Sequence, residues 1–228
     1  MKIELSAVEK WYNRGLPNEV HALQQIELAV AENEVVCIQG PSGSGKSTLL
    51  CIIGALFGPT SGRAAIDGRS LARLPDRFLT RYRRELVGFI FQRFQIIEEL
   101  TVAANVALPL LPLGVSLRER RQRTAEALER LNISHRSSFP AGGISGGELQ
   151  RAVIARALIN DPAIILADEP TAHLDSRLSL QFMNIIEELK VAGKTIVIAS
   201  HDPLVFDHPV IDRCLFMRDG RLTAHQPD

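Results

Sequence analysis

Residues 35–48 read VVCIQGPSGSGKST, an apolar run of strand length followed by a glycine-rich turn that closes on a lysine and two hydroxyl residues. The segment Gly40-Pro41-Ser42-Gly43-Ser44-Gly45-Lys46-Ser47 has the spacing G-x-x-x-x-G-K-[ST]. Its flanks agree, with a strand before it and a helix predicted to begin near Lys46. Glycines here let the backbone curl until successive N–H groups and a helix N-terminus aim at one anion. Lys46 adds a point charge for the outer phosphates of a nucleotide, and the Ser47 hydroxyl can hold Mg²⁺. A strand, a phosphate loop and a helix in that order predict an α/β chain with a mainly parallel sheet.

The same rhythm recurs outward from this loop. Val87–Phe91, Ile164–Ala167 and Thr195–Ala199 are apolar runs of strand length that end in polar residues and give way to helical periodicity. Ile3–Val8, Ile26–Val30 and Gly62–Asp67 alternate more openly, which predicts an antiparallel β-layer beside the parallel core. Between Arg93 and about Asp161 the strand signal is lost, and helical patterns take over at Leu117–Leu131 and Gly147–Ile159. The expected organisation is one domain over 1–228: a nucleotide-binding core from 1–92 and 162–228, interrupted by a helical subdomain at 93–161. Inside the insertion, VALPLLPLGV at 106–115 is broken by Pro109 and Pro112, so a bent connection is expected there. Its leucines either face a groove for a partner or pack internally. The arginines at 118, 120, 121 and 123 suit a solvated helix face.

Composition narrows the classes. With 46% hydrophobic residues in 228, the chain can build a sizeable core. Lys+Arg and Asp+Glu balance at 26 each, so no global basic footprint for nucleic acid exists. Cys37, Cys51 and Cys214 are far apart in sequence, in apolar surroundings, without metal-ligand spacing, which fits a reducing compartment. The start, MKIELSAVEK, alternates like a strand and lacks the order of a signal peptide, and no run of about 18 apolar residues appears. Any membrane crossing is expected of another chain.

Several polar residues fall at predicted strand ends, on the sheet edge that carries the phosphate loop. Asp168 and Glu169 follow IILA; Asp168 is expected to steady Mg²⁺ and Glu169 to polarise an attacking water. Gln92 follows VGFIF and His201 follows TIVIAS; the first can ligate the metal and the second can hydrogen-bond a phosphate. A second glycine-rich helix start, ISGGELQR at 144–151, offers Ser145 and the N–H groups of Gly146 and Gly147 to an anion but has no lysine. Ser145 with Glu148 also reads as a plain helix cap, which leaves both glycines unexplained.

Taken in order, these residues resemble the nucleotide-binding subunit of ATP-binding-cassette (ABC) transporters over essentially the whole chain. The matching elements are Tyr12 in VEKWY, the Walker A loop including Thr48, Gln92, the signature ISGGELQR, the Walker B run IILADE, a D-loop ending in Asp175, and His201. The resemblance implies a P-loop fold and ATP hydrolysis with Mg²⁺. It also implies a head-to-tail dimer in which Ser145, Gly146, Gly147 and Glu148 of one copy complete the nucleotide site of the other. Tyr12, by its match to the family's K-x-Y pattern, is expected to stack on the adenine in preference to Trp11. A separate transmembrane permease is the implied partner, with the subunit cytoplasmic and peripheral on the inner membrane face. The alternative is a cell-division type complex that transmits motion and transports nothing. Within the family the chain is most similar to the lipoprotein-releasing and macrolide-export ATPases. Asn33 stands where a turn glycine is usual, Leu149 where the signature often has a polar residue, and His173 where the D-loop usually has a small or amide residue.

Overall fold

The computed structural model describes residues 1–71, 74–92, 94–172 and 174–224; His173 lies outside them. In chain order the elements begin with β1 (Ile3–Tyr12), β2 (Val20–Val30), β3 (Val35–Gln39), α1 (Lys46–Ile53), β4 (Ser61–Ile66), β5 (Arg69–Ser70), α2 (Asp76–Leu86) and β6 (Val87–Ile90). Then come α3 (Val102–Ala107), α4 (Leu117–Arg130), α5 (Gly146–Leu158), β7 (Ile164–Asp168), α6 (Ser176–Val191), β8 (Thr195–Ala199), α7 (Pro203–Phe206), β9 (Arg213–Arg218) and β10 (Arg221–Thr223).

A six-stranded sheet of order β10-β9-β3-β8-β7-β6 forms the centre, parallel except for the β9–β10 hairpin. β3, β7 and β8 are apolar except for Gln39, Asp168 and Thr195 at their ends, because both faces of this sheet are covered. Val36 and Ile38 join α1 and the antiparallel sheet β2-β1-β4-β5 in one apolar layer. Val35 and Cys37 join residues of α3, α4, α5 and α6 in the other. The predicted mainly parallel core and antiparallel layer are both present.

The structure departs from the sequence expectations at strand ends. β1 runs four residues past Val8 to Tyr12, and β2 begins at Val20 instead of Ile26. Their pairing register shifts repeatedly, with Ala7 (φ 47°) and Gln25 (φ 49°) in left-handed backbone. Such bulges break the two-residue period on which strand recognition depends. β6 stops at Ile90, one residue short of Phe91. The hairpin β9–β10 was not anticipated, although Asp219-Gly220, both at positive φ (49° and 75°), is a strong turn signal. Asn33 sits at φ 59°, a conformation asparagine tolerates in a glycine's place.

From 94 to 160 the described residues form helices and 3₁₀ turns, with a single bridge between Thr101 and Pro140. The proline-broken run is a 3₁₀ segment, Leu108–Leu113. Leu110 is fully buried and Leu113 packs against the same apolar layer, while Leu111 is exposed. Leu110 is therefore a core residue. Leu110→Ala should cost about 2–5 kcal/mol, lowering the melting temperature by roughly 2–4 °C per kcal/mol. Differential scanning fluorimetry checks this; an unchanged melting point would remove Leu110 from the core.

Candidate nucleotide site

The carboxyl ends of β3, β7 and β8 converge on one cavity of about 620 Å³. Ser42, Gly43, Ser44, Gly45, Lys46, Ser47 and Thr48 line its floor, with Gln92, Glu169 and His201 on one side and Tyr12 on another. Gly45 takes φ 109° and leaves α1 with no side-chain cap. The first-turn N–H groups of α1 are thus open to an anion. The Ser44 hydroxyl is buried and has no partner among the described residues, a polar atom that a ligand oxygen would satisfy. Gly40 has no room for a side chain, because a Cβ there would run into the Met217 carbonyl oxygen.

Lys46 is 5% exposed and donates to the carbonyls of Gly40 (2.7 Å) and Pro41 (3.0 Å). Its Nζ also pairs with Glu169 at 3.2 Å. The other Glu169 oxygen accepts from the His201 N–H (3.3 Å) and lies 2.8 Å from His201 Nδ1. Glu169 itself stands at φ 45°, a costly conformation for a glutamate that persists only where its surroundings impose it. Its N–H donates to Ala199 on β8, which pins the strained turn.

The Ser47 hydroxyl donates to Asp168 at 3.0 Å. Burial pushes the Asp168 carboxyl above its usual range, against the pull of that hydrogen bond. A desolvated carboxylate beside a serine hydroxyl is an oxygen donor pair that suits a hard divalent cation. Among the described residues no group of three or more His, Cys, Asp or Glu side chains could hold a metal. Such a cation would complete its coordination with phosphate oxygens and water, as Mg²⁺ does.

The second glycine-rich start lies elsewhere. Ser145, Gly146, Gly147 and Glu148 line a separate cavity of about 580 Å³ with Asp175 and Arg177. Ser145 caps α5, accepting from the Glu148 N–H, while the Glu148 carboxylate accepts from the Ser145 N–H (2.9 Å) and hydroxyl (2.9 Å). The Arg136 guanidinium, 2.7 Å away, and then the Ser145 N–H hold the Glu148 carboxyl down to about 2. Glu148 is thereby committed to the helix start. Gln150 of the same helix donates to the Pro170 carbonyl, one residue beyond Glu169, and so ties this surface to the Glu169 turn.

A family model described as ABC transporter matches residues 23–172. The "Uncharacterized ABC transporter ATP-binding protein YvrO" of Bacillus subtilis is 44% identical, over 98% of this chain and 96% of its own length. The chain belongs to the ABC transporter family. A macrolide export ATP-binding/permease protein, MacB of Hyphomonas neptunium, is 42% identical over 97% of this ABC chain, which spans 34% of that relative's length. Among solved structures, the dimeric ABC transporter cassette MJ0796 superposes with TM-score 0.89 at 41% identity, covering 96% of both chains. Its post-hydrolysis state, bound to ADP and Pi, gives 0.88 at 38% identity over 99% of this chain and 100% of that one. The macrolide-export likeness expected from the sequence is borne out by these relatives.

The fold of the ABC chain gathers some of the sequence-predicted residues and separates others. Gly40 and Pro41 do not line the cavity; their carbonyls hold Lys46. Asp168 does not line the cavity itself but accepts from the Ser47 hydroxyl that does. Asp175 caps α6 by accepting from the Leu178 N–H at 2.8 Å and faces the cavity of the second glycine-rich start. Tyr12 lines the nucleotide cavity, its hydroxyl 3.5 Å from Thr48 Oγ1. Trp11 instead stacks on His21 at 3.7 Å, with Arg14 over its ring. Val20, His21, Ala22, Gln24, Asp219 and Gly220 line the cavity without having been predicted. Only the Asp-Gly turn carried a local signal.

Proposed function

We propose that the chain is the ATP-hydrolysing subunit of a transporter and that two copies close head to tail around ATP, each completing the other's site. The observation that carries this is the division of the anion-binding parts. Lys46, Glu169 and His201 share one cavity, whereas Ser145, Gly146 and Gly147 line a different one in the same chain. Two such chains in opposite orientation turn two half-sites into two whole ones, the closed symmetry a two-fold dimer requires.

In this reading the α1 N-terminus and the loop from Gly40 to Thr48 cradle the phosphates, and Tyr12 stacks on the adenine. Incoming phosphate draws Lys46 from Glu169, which frees that carboxylate to accept a proton from the attacking water. His201, hydrogen-bonded to Glu169, orients it and reaches the terminal phosphate. Gln92, two residues past the end of β6, lines the cavity, where it would contact the metal and phosphate and pass closure to residues 93–161, which act as the helical subdomain between core and membrane partner. Ser47, Asp168 and Gln92 would hold Mg²⁺, which would supply charge neutralisation at the phosphate oxygens.

No helix among the described residues is long and apolar enough to cross a membrane. The partner is a membrane-spanning permease on another chain, with this subunit on the cytoplasmic face. The MacB relatives, about three times the length that this chain covers, carry both roles in their name. Phosphate release by the purified chain should require Mg²⁺ and stop in EDTA. Release that continues undiminished in EDTA, or none with Mg²⁺, contradicts the proposal.

A further inference from the structure

Cys37 and Cys214, 177 positions apart in sequence, are direct register partners on the parallel strands β3 and β9. Neighbouring strands lie about 4.7–4.9 Å apart, inside the roughly 4.4–6.8 Å between Cα atoms that a disulfide accepts. Both side chains face the same apolar layer, with Val205 of α7, the helix that follows His201. Cys37 is fully buried and Cys214 partly exposed. The proximity of the two thiols lowers Cys214 and raises Cys37, which burial raises further. Cys214 is the more exposed and the more readily ionised of the two, and Cys37 lies buried beside it. This is the arrangement of an attacking and a resolving cysteine.

We propose that Cys37 and Cys214 form a reversible disulfide in response to hydroperoxides and that the bridge weakens nucleotide binding. In the first step the Cys214 thiolate attacks a peroxide oxygen. The S–O bond forms, the O–O bond breaks, and hydroxide leaves from hydrogen peroxide, or alkoxide from an organic hydroperoxide, taking the proton that Cys214 gave up as water or the alcohol. In the second step Cys37 sulfur attacks the Cys214 sulfenic acid. The S–S bond forms, the S–O bond breaks, and the departing hydroxide leaves with the Cys37 proton as water. Two thiols lose two electrons, and the peroxide gains them. A dithiol reverses the reaction by exchange.

The coupling to the nucleotide cavity is geometric. β3 runs from Cys37 directly into Gly40, and Gly40 rests on the Met217 carbonyl, three residues beyond Cys214 on β9. The hairpin after β9 contributes Asp219 and Gly220 to the cavity wall, and the Gly220 N–H donates to the Ser44 carbonyl at 3.0 Å. A bond that resets β9 against β3 therefore moves the phosphate loop, where no slack remains. Cys51 on α1 is pushed up to about 11, chiefly by burial, and has no cysteine in register, so it serves as an internal control.

Peroxide-treated wild-type chain, digested without reduction, should yield one peptide pair joined through Cys37 and Cys214, with Cys51 still alkylatable. In Cys37→Ala, the Cys214 sulfenic acid should persist and be trapped by a 1,3-dione. The oxidised wild type should show a several-fold higher KM for ATP, restored by dithiothreitol, while Cys214→Ser ignores peroxide. Cys37 and Cys214 both remaining alkylatable in denaturant, or a bridge that includes Cys51, overturns the pair. A Cys37–Cys214 bridge with unchanged KM overturns its coupling to the nucleotide cavity. If Cys37→Ala does not fold, the wild-type peptide map and the Cys214→Ser protein still decide both points.

Discussion

Lys46→Ala should abolish ATP binding at concentrations that saturate the wild type. Its ammonium is the fixed cation aimed into the cavity from the first turn of α1, and it is nearly sequestered from water. Two charge-assisted hydrogen bonds to phosphate oxygens at about 1.5–3 kcal/mol each correspond to a loss of roughly 10²–10⁴-fold in affinity. The substitution also strands Glu169, which would keep His201 as its polar partner in a site where it is 8% exposed. A fluorescent-nucleotide titration on a sample whose melting curve shows it folded checks the effect. Unchanged affinity would mean that the phosphates do not reach Lys46.

Glu169→Gln should give the opposite pattern, with binding retained and turnover slowed by roughly 10²–10⁴-fold, the range for a lost general base. Glutamine keeps the shape of the side chain, and its carbonyl can still accept from the His201 N–H that bonds Glu169. It cannot take a proton from water. With ATP and Mg²⁺ the variant should elute at twice the monomer mass in size-exclusion chromatography, because closure precedes hydrolysis. A monomer with near-normal turnover would take the base role away from Glu169.

Both substitutions fall on residues that could be read from the sequence, for a physical reason. The phosphate loop is a contiguous run whose backbone conformation demands glycine at fixed spacing, and Asp168 and Glu169 adjoin an apolar strand that is hard to mistake. The other wall of the same cavity is built from β2 and the β9–β10 hairpin. His21 and Gln24 carry no motif, and the bulge at Gln25 (φ 49°) hides the strand they belong to. Glu148 illustrates a different gap: its place in the signature was legible, but its commitment to Ser145 and Arg136 depends on a turn 12 residues upstream. Cys37 and Cys214 are a third case. Their distance in sequence argued against pairing, and only the parallel register of β3 and β9 makes them neighbours.

The central claim is that the glycine-rich start at Ser145 completes another copy's site, and mixing two inactive variants tests it most directly. Lys46→Ala damages the phosphate loop and keeps the signature. Ser145→Arg damages the signature and keeps the loop, at about 1 kcal/mol for the lost cap. In a head-to-tail mixed dimer, one site inherits both defects and the other inherits none. Random exchange makes half the dimers mixed with one of two sites repaired, so about a quarter of wild-type sites should occlude ATP, measured in a Glu169→Gln background. If the signature served its own chain, every site would keep one defect. No gain in occlusion on mixing, with exchange verified by two different tags, would contradict the account.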